Sequence, residues 1–550
     1  MPQHQILPQP ELTAARSPAS PRGLYITLAA ALLAFGLYHV LPYEEVANRG
    51  LAILCFVTVL WFTEALHITV TALMVPLLAL LFRIPDMSTG SVLAHFADPI
   101  IFVFFGGFAL ATALHIQKLD RKIALWVISL SRGNMRVAVL LLFAVTAFLS
   151  MWISNTATVA MMLPLALGLM GHIDHERQRK TFVFVLLGIA YCASIGGMGT
   201  YVGSPPNGIA ARALGLDFWG WMRLGLPIML LLLPTILLAL YAVLRPDFSQ
   251  RVDVRQQECI AWTAQRVLTV MVFLVTAAAW IIGSAIQQAT GIASIDSFIA
   301  LAAAVAVVLL GTVQWDDVVE HTNWSVLMLF GGGIALSTLM KNSGASAALG
   351  QSVAMTFGQS HPLAVVAVVA VFIIFLTEFT SNTASAALLV PVFAGVAAEL
   401  GMPRQMLVMV IGIGASCAFM LPVATPPNAI VFGSGLIRQQ EMMGVGLEPA
   451  VCGRRVAVGL FPAVRACSKV CSKARCRAAG REPQPLRGIG VRAFTVSRLP
   501  GGSARAGVRT IAPLQNGRLA RGLAGAVLAW LFHTTAHYRD EPAAAFFTGR

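Results

Sequence analysis

The first 450 residues alternate between long apolar runs and short polar segments. The apolar runs occupy residues 24–41, 51–62, 69–82, 100–116, 182–201, 219–244, 267–286 and 297–313. Runs that approach about 20 residues match the length of an α-helix that crosses the hydrocarbon core of a bilayer. The pattern therefore predicts an all-α polytopic membrane protein.

Composition supports this class. The 550-residue chain is 57% hydrophobic and only 11% charged, whereas soluble domains carry about 25% charged residues. A water-soluble enzyme is therefore excluded. The segment before residue 24 is polar and proline-rich and has no small-residue cleavage site after a short apolar region, so we predict no cleaved signal peptide.

The net charge of +14 comes from one end of the chain. Residues 1–449 contain 21 Lys and Arg and 21 Asp and Glu, which cancel. Residues 450–550 contain 17 Lys and Arg against 3 Asp and Glu, so this tail carries the whole excess. Two chemically different segments thus meet near residue 449.

Basic residues of the body cluster in three polar segments, at residues 118–136, 172–180 and 245–266. Together with Arg16, Arg22 and Arg438, these segments put 15 of the 21 basic residues on one side. Short basic loops stay in the cytoplasm, so the N-terminus is predicted to be cytoplasmic. This assignment requires residues 137–171 to enter and leave the membrane on the same side, as a re-entrant hairpin.

Three motifs occur twice. "SNTATVAMMLP" (154–164) matches "SNTASAALLVP" (381–391), "FFGGFALA" (104–111) resembles "LFGGGIALS" (329–337), and "GTYVGSPPNGIA" (199–210) resembles "LPVATPPNAIVF" (421–432). The copies are separated by 221 to 227 residues and keep their order. This predicts an inverted-topology repeat, which in transporters surrounds the substrate site near the middle of the membrane. The alternative is that the small residues merely pack helices.

The repeated prolines predict broken helices. Pro205-Pro206 and Pro426-Pro427 lie in apolar spans, and proline cannot continue a helical hydrogen-bond ladder. The carbonyl groups that are freed there suit Na⁺, and Asn207 and Asn428 can hold the bend. A lone proline pair could be a simple kink, and a lone Ser-Asn-Thr triplet could be a helix cap.

The repeated motifs contain no Lys or Arg. Two helix N-termini supply at most ~2 kcal/mol each to an anion, while transfer of one ion into a dry medium costs on the order of 20 kcal/mol. Mobile cations would therefore have to complete an anion site. Glu378, three residues before Ser381, is expected to support the hairpin tip, to bind an ion or to serve an unrelated pairing.

These motifs, and especially "LPVATPPNAIVFGSG", resemble the divalent-anion/sodium symporter (DASS) family and its INDY-type bacterial dicarboxylate transporters. The resemblance covers residues 20–448 and implies eleven membrane helices, two re-entrant hairpins, a homodimer and an elevator-type motion of a transport domain against a scaffold. It implies localisation in the bacterial inner membrane and no enzymatic activity. The co-transported ion would be Na⁺, with no organic cofactor and no nucleic-acid partner.

The resemblance also implies domain boundaries. Residues 1–22 would be a cytoplasmic segment and 23–98 scaffold helices. Residues 99–214 would be the first repeat, with a hairpin tip at 154–156 and a broken helix at 205–207. Residues 215–325 would link the repeats, and 326–438 would be the second repeat, with a tip at 381–383 and a broken helix at 426–428.

Site residues follow from the same resemblance. The first sodium site would use Ser150, Ser154, Asn155 and Gly203, and the second Thr377, Ser381, Asn382 and Ala424. The substrate would contact Asn155, Thr156, Ser204, Asn382, Thr383, Thr425 and Pro426. The paired Asn-Thr motifs favour a C4 dicarboxylate such as succinate. Citrate and sulfate remain alternative substrates. A proton-coupled carrier of the same fold and a non-transporting paralogue with a basic tail remain alternative functions, and a membrane enzyme is the least favoured class.

The tail departs from the family. Where the family has one last membrane helix, residues 450–550 are rich in Arg, Ala, Gly and Pro, and their only apolar run, 522–532, is too short to span. We expect that a frameshift replaced the final helix and that the tail is cytoplasmic and unstructured. The rival interpretation is a genuine basic, disordered extension.

Overall fold

The computed structural model describes residues 21–446, except 172, 176, 251–259 and 358–360. Across these residues the regular structure is helical. The first ten α-helices are α1 (Pro21–Val40), α2 (Glu45–Thr63), α3 (Ile68–Leu81), α4 (Thr89–Ala94), α5 (Pro99–Ile116), α6 (Leu119–Ser129), α7 (Met135–Ser150), α8 (Asn155–Leu169), α9 (Arg179–Gly196) and α10 (Pro205–Leu214). The predicted character of residues 1–20 and of the 450–550 tail lies outside the described residues.

Eleven further helices complete the described chain. They are α11 (Phe218–Leu244), α12 (Ala264–Ile281), α13 (Gly283–Thr290), α14 (Ile295–Leu309), α15 (Trp315–His321), α16 (Trp324–Asn342), α17 (Ala345–Phe357), α18 (Pro362–Thr377), α19 (Asn382–Glu399), α20 (Arg404–Gly414) and α21 (Pro426–Gly433). Two short 3₁₀ turns, His95–Ala97 and Gly197–Gly199, precede α5 and follow α9.

Within the described part of the chain, eight helices are long and apolar enough to cross a membrane, or nine if α13 and α14, which bend by 100°, form one span. The predicted class, an all-α polytopic membrane protein, is confirmed. The eleven spans that the resemblance implies are not reached by length and composition because several apolar helices are short. These are Ile68–Leu81, Met135–Ser150, Asn155–Leu169, Ala364–Thr377 and Arg404–Gly414.

Burial separates the inner helices from the outer ones. Every residue of α9 from Thr181 to Gly196 is buried, and this stretch is strongly apolar on all sides. By contrast, α1, α11 and α12 each bury only 17% of their most apolar window. A helix that is apolar all round is either enclosed by protein or surrounded by lipid. Helix α9 is therefore a central helix of the protein, and the three outer helices present apolar surface to the bilayer.

The two sequence repeats pack in the same way. Helices α7 and α8 both contact α9, and their counterparts α18 and α19 both contact α20. Each repeat also exchanges its last helix with the other. Helix α10 packs against α19 and α20, while α21 packs against α8 and α9. The repeats are thus interlocked, so the end of each broken helix is held by the opposite repeat.

Both proline pairs open a short helix instead of interrupting a long one. Helix α9 ends at Gly196 and α10 begins at Pro205, and α20 ends at Gly414 before α21 begins at Pro426. Proline is favoured in the first turn of a helix, where its missing N–H would have no partner in any case. The prolines therefore fix where each second half-helix starts, and eight to eleven residues between the halves are left without α-helical hydrogen bonds.

Candidate functional site

The repeated triplets lie where α8 and α19 begin. Ser154 is the N-cap residue of α8, and its side chain accepts a hydrogen bond from the Ala157 N–H at 3.3 Å. Ser381 occupies the same position before α19, but its side chain makes no capping bond. The capping interpretation thus holds for one triplet only. In both copies the Asn and Thr belong to the first helical turn.

The first break gathers oxygen atoms around Asn155. The Ser150 hydroxyl lies 2.6 Å from Asn155 Oδ1 and 2.7 Å from the Ala193 carbonyl oxygen. A hydroxyl has one proton and can satisfy only one of these two acceptors. If the Asn155 amide is turned over, its nitrogen instead donates to Ser150 Oγ at 2.6 Å, Ala193 O at 3.2 Å and Gly203 O at 3.3 Å. The nitrogen-inward orientation satisfies these three oxygens, whereas an inward amide oxygen would face only acceptors and would need a cation as its partner.

Glycine keeps this group of oxygens open. A Cβ on Gly203 would lie 2.6 Å from Gly197 O, 2.8 Å from Ser150 O and 2.9 Å from Met151 O. A Cβ on Gly197 would lie 2.5 Å from Asn155 Oδ1 and 3.0 Å from Gly203 O. Real Cβ atoms do not approach backbone oxygens so closely. We call the oxygens of Ser150, Met151, Asn155, Gly197 and Gly203 the carbonyl cradle.

The second break repeats part of this arrangement. The Thr377 hydroxyl lies 2.6 Å from Asn382 Oδ1 and 2.9 Å from the Ala415 carbonyl oxygen. Thr377, Asn382 and Ala415 therefore correspond to Ser150, Asn155 and Ala193. Among the described residues, no hydrogen bond joins Ala424 to Thr377 or Asn382. The Ala424 N–H instead donates to Leu421 O at 3.2 Å.

Two buried asparagines hold the breaks. Asn207 Nδ2 donates to Gly197 O and Thr200 O, both at 2.8 Å. Asn428 Nδ2 donates to the equivalent oxygens, Ala418 O and Leu421 O, both at 3.1 Å. Each asparagine therefore satisfies two carbonyl groups that the broken helix leaves free, as a buried carbonyl requires. The expectation that Asn207 and Asn428 hold the bend is confirmed.

Glu378 supports the second break from behind. Its buried carboxylate accepts hydrogen bonds from the N–H groups of Phe419 at 2.7 Å, Met420 at 3.0 and 3.1 Å, and Leu421 at 2.9 Å. The first repeat has Met151 at the equivalent position, and there the Thr200 hydroxyl donates to Met151 O at 2.6 Å. The geometry favours the supporting role among the three that the sequence left open.

The residues expected to contact a substrate differ in their contacts and exposure. Ser204 Oγ is 3.4 Å from Ser416 Oγ of the other repeat, so the two breaks meet there. Thr425 caps α21 by accepting the Asn428 N–H at 3.2 Å. Thr156 and Pro426 are exposed, and Thr383 is half-buried. Thr156, Pro426 and Thr383 are therefore accessible, whereas Ser204 and Thr425 are buried. Contacts of all five with a substrate stay a prediction.

The sequence reasoning missed the oxygens of Ala193 and Ala415 and those of Met151 and Gly197. Ala193 and Ala415 each open an Ala-Ser pair, in "ASIGGMGT" (193–200) and "ASCAFMLP" (415–422). These pairs lie 222 residues apart, within the separation of the other motifs. The shared dipeptide could have indicated that both helix ends belong to the site.

A polytopic helical protein that buries two matched groups of polar atoms in broken helices belongs to the class of membrane transport proteins. Comparison with known proteins agrees. The model of the citrate transporter family matches residues 58–403, and the chain belongs to that family, whose members are transporters and not enzymes.

Named relatives give the same result. The chain is 54% identical to an uncharacterized transporter of Haemophilus influenzae over 423 residues, which cover 76% of this chain and 91% of that protein. It is 37% identical to an uncharacterized transporter of Methanocaldococcus jannaschii over 72% of this chain and 90% of the relative. It is 32% identical to the sodium-dependent dicarboxylate transporter SdcS of Staphylococcus aureus over 74% of this chain and 83% of that protein.

The crystal structure of the Alcanivorax borkumensis YdaH transporter is also similar, with a TM-score of 0.49 and 14% identity over 70% of this chain and 95% of that chain. The family match and the relatives confirm the predicted family and the prediction that the chain is an integral membrane protein. Substrate, ion, oligomeric state, orientation and the type of membrane stay predictions.

Proposed function

We propose that this protein is a secondary active symporter that couples Na⁺ entry to uptake of a dicarboxylate or tricarboxylate, with a C4 dicarboxylate such as succinate favoured. The relative named a sodium-dependent dicarboxylate transporter supports this proposal, as does the citrate transporter family. The observation that carries it is the carbonyl cradle. Neutral oxygens that converge on a helix break are the ligands that transporters offer to Na⁺.

In the first sodium site, Ser150, Asn155 and Gly203 would supply oxygens, with Ser154 fixing the start of α8. In the second, Thr377 and Asn382 would act alike, with Ser381 and Ala424 flanking them. The Asn155 amide would turn its oxygen toward a bound Na⁺ and its nitrogen toward the same oxygens in the absence of the ion. The amide would then have favourable partners in both states, which eases release of the ion.

Charge explains why ion and anion would bind together. The triplets and the proline motifs contain no Lys or Arg, so a dicarboxylate would meet only helix N-termini and neutral donors. These offset only a small part of the cost of removing the anion from water. Two Na⁺ ions beside the substrate would neutralise it. Asn155, Thr156 and Ser204 would contact it from the first repeat, and Asn382, Thr383, Thr425 and Pro426 from the second.

The interlocked repeats fit a transport domain that moves as one body. Because α10 and α21 each pack on the opposite repeat, the two sites could travel together without breaking their own contacts. We extend the proposal to an elevator mechanism in a homodimer of the bacterial inner membrane, with the basic loops and the N-terminus in the cytoplasm.

Uptake by purified protein in proteoliposomes tests the proposal. We expect succinate uptake that requires an inward Na⁺ gradient and fails with choline or K⁺, and that exceeds uptake of citrate and sulfate. Faster uptake of citrate would change the substrate and leave the coupling intact. Uptake that follows a proton gradient without Na⁺, or no uptake of any of these anions, would contradict the proposal.

Two substitutions connect the function to the site. Asn155→Ala and Asn382→Ala should each nearly abolish uptake, because each removes an amide from a break that has no basic side chain to replace it. Asn342→Ala, at the end of α16, is the matched control, since its amide bonds only to Pro85 O at 3.2 Å among the described residues. Normal rates in both test variants would remove the triplets from the site.

A further inference from the structure

A cavity lined by both apolar and cationic side chains lies apart from the residues of the helix breaks. It has a volume of about 300 Å³ and is lined by residues of α10, α16, α17, α19 and α20. Three cationic side chains line it, Arg212, Lys341 and Arg404, and hydroxyl groups of Ser337, Thr338 and Ser346 join them. Its volume lies at the lower end of the range for small-molecule sites. We call it the basic vestibule.

The vestibule opens at the membrane face opposite the basic loops. Arg212 bonds to Asp98, which directly precedes α5, and the far end of α5 leads into the segment that begins at Lys118. Of the 21 Lys and Arg in residues 1–449, 15 belong to the basic loops and termini and only six remain: Arg49, Arg83, Arg212, Arg223, Lys341 and Arg404. Three of these six line one cavity. Positive charge is therefore concentrated there, on a face of the protein that otherwise has few basic residues.

Two of the three cations are not neutralised by the described residues. Arg212 donates to the Asp98 carboxylate at 2.8 to 3.1 Å, so its charge is largely compensated. Among the described residues, no carboxylate forms an ion pair with Lys341 or Arg404. Both side chains are exposed at the rim, where an anion can approach them. The vestibule therefore holds about two net positive charges together with hydroxyl donors.

Two helices connect the vestibule with the helix breaks. Helix α10 begins beside Ser204 and reaches the vestibule at Ile209, about 6 Å along its axis. Helix α19 begins at Asn382 and reaches it at Ala387, about 8 Å along its axis. An anion in the vestibule would thus be close to the central site but separate from it.

We propose that the basic vestibule binds polycarboxylate anions from the outer solution and raises their concentration next to the central site. This inference rests on the proposed function for the identity of the anion. Arg and Lys recognise carboxylates through charge-assisted hydrogen bonds, and hydroxyl groups add donors. Because Lys341 and Arg404 are exposed, binding is weak, reversible and sensitive to salt, as a capture site requires. The helix breaks lack fixed positive charge, so the attraction that they cannot provide comes from the vestibule.

A chemical probe tests the vestibule without relying on transport. Ser337→Cys places a thiol in the cavity, and its reaction rates with an anionic and a cationic methanethiosulfonate reagent are compared, with the parent protein as the background control. The rate of each reagent is divided by its own rate with free cysteine. At low ionic strength we expect this relative rate to be at least about threefold higher for the anionic reagent than for the cationic reagent. Millimolar citrate should slow both reactions. Adding Lys341→Gln and Arg404→Gln should remove both the preference for the anionic reagent and the slowing by citrate.

Two results would overturn the inference. Equal relative rates for the two reagents would mean that the cavity does not attract anions. The cavity would bind a lipid headgroup instead if phosphatidylglycerol in the vesicles slows the reaction of the Ser337→Cys thiol while citrate does not slow it in phosphatidylcholine vesicles.

Transport supplies a second arm that separates this inference from the proposed function. In Lys341→Gln/Arg404→Gln proteoliposomes, succinate uptake at low concentration should fall at least about threefold, and the difference from the parent should narrow as succinate rises. Adding salt should reduce uptake by the parent more than uptake by the variant. Uptake equal to that of the parent at every concentration would refute a capture role. Absence of Na⁺-dependent uptake by the parent would instead count against the proposed function, while the thiol probe still decides whether the vestibule binds anions.

Discussion

Gly203→Ala tests the carbonyl cradle with the addition of a single methyl group. The new Cβ would lie 2.6 Å from Gly197 O, 2.8 Å from Ser150 O and 2.9 Å from Met151 O. Ordinary contacts of a Cβ begin near 3.4 Å, so the oxygens would have to retreat by 0.5 to 0.8 Å. All three belong to the backbone and cannot rotate away as a side chain would. The cradle must therefore widen.

Overpacking of this kind costs about 1–3 kcal/mol. If the cost falls on the ion-bound state, Na⁺ affinity drops by about fivefold to 150-fold, since each 1.4 kcal/mol is a factor of ten. The half-saturating Na⁺ concentration for succinate uptake should rise accordingly. Calorimetric succinate binding should weaken at low Na⁺ and recover at high Na⁺, because linkage couples the two ligands.

Two glycine controls separate the cradle from general strain. Gly188→Ala lies in α9, the helix before the first break, and its Cβ would press on the ring of Phe143, so it should lower thermal stability and leave the Na⁺ dependence unchanged. Gly433→Ala has open space around it and should change neither property. If Gly203→Ala folds and shows the same half-saturating Na⁺ concentration as Gly433→Ala, the cradle does not bind the ion.

Further substitutions test the supports of the breaks. Asn207→Ala and Asn428→Ala should each destabilise the protein by about 1–3 kcal/mol in thermal unfolding, because each leaves two buried carbonyls unpaired; unchanged melting would contradict their role. Glu378→Gln should lower stability and maximal uptake together, since a neutral amide is a weaker acceptor for three N–H groups; full activity would exclude the support. The Arg179 guanidinium lowers the pKa of Glu441, so this pair stabilises the fold above the usual pKa of Glu, near 4.5, and the stabilisation is lost as pH falls through the lowered pKa. We therefore expect a Glu441→Gln variant to melt below the parent at pH 7 and at the same temperature as the parent near pH 3. A difference in melting temperature that does not change with pH would contradict this role of the pair.

The sequence by itself determined the class of protein and the locations of the helix breaks. Apolar runs near the thickness of a bilayer require helices, because only helices satisfy their own backbone groups in lipid. Proline acts within its own turn, so Pro205 and Pro426 mark where a helix must begin again whatever surrounds it. The repeat itself is visible because the two copies carry the same residues in the same order. These features depend on local chemistry, which a sequence states directly.

Only the tertiary structure decided which distant groups meet. The Thr377 hydroxyl finds the Ala415 carbonyl 38 residues away, and any residue has a carbonyl, so residue type gives no warning of that contact. The exchange of α10 and α21 between repeats is likewise a matter of packing. Arg212, Lys341 and Arg404 look like isolated charges at three helix ends, and they form a vestibule only because α10, α16 and α20 end or begin at the same face. Such contacts depend on how the helices pack, which no local pattern along the chain specifies.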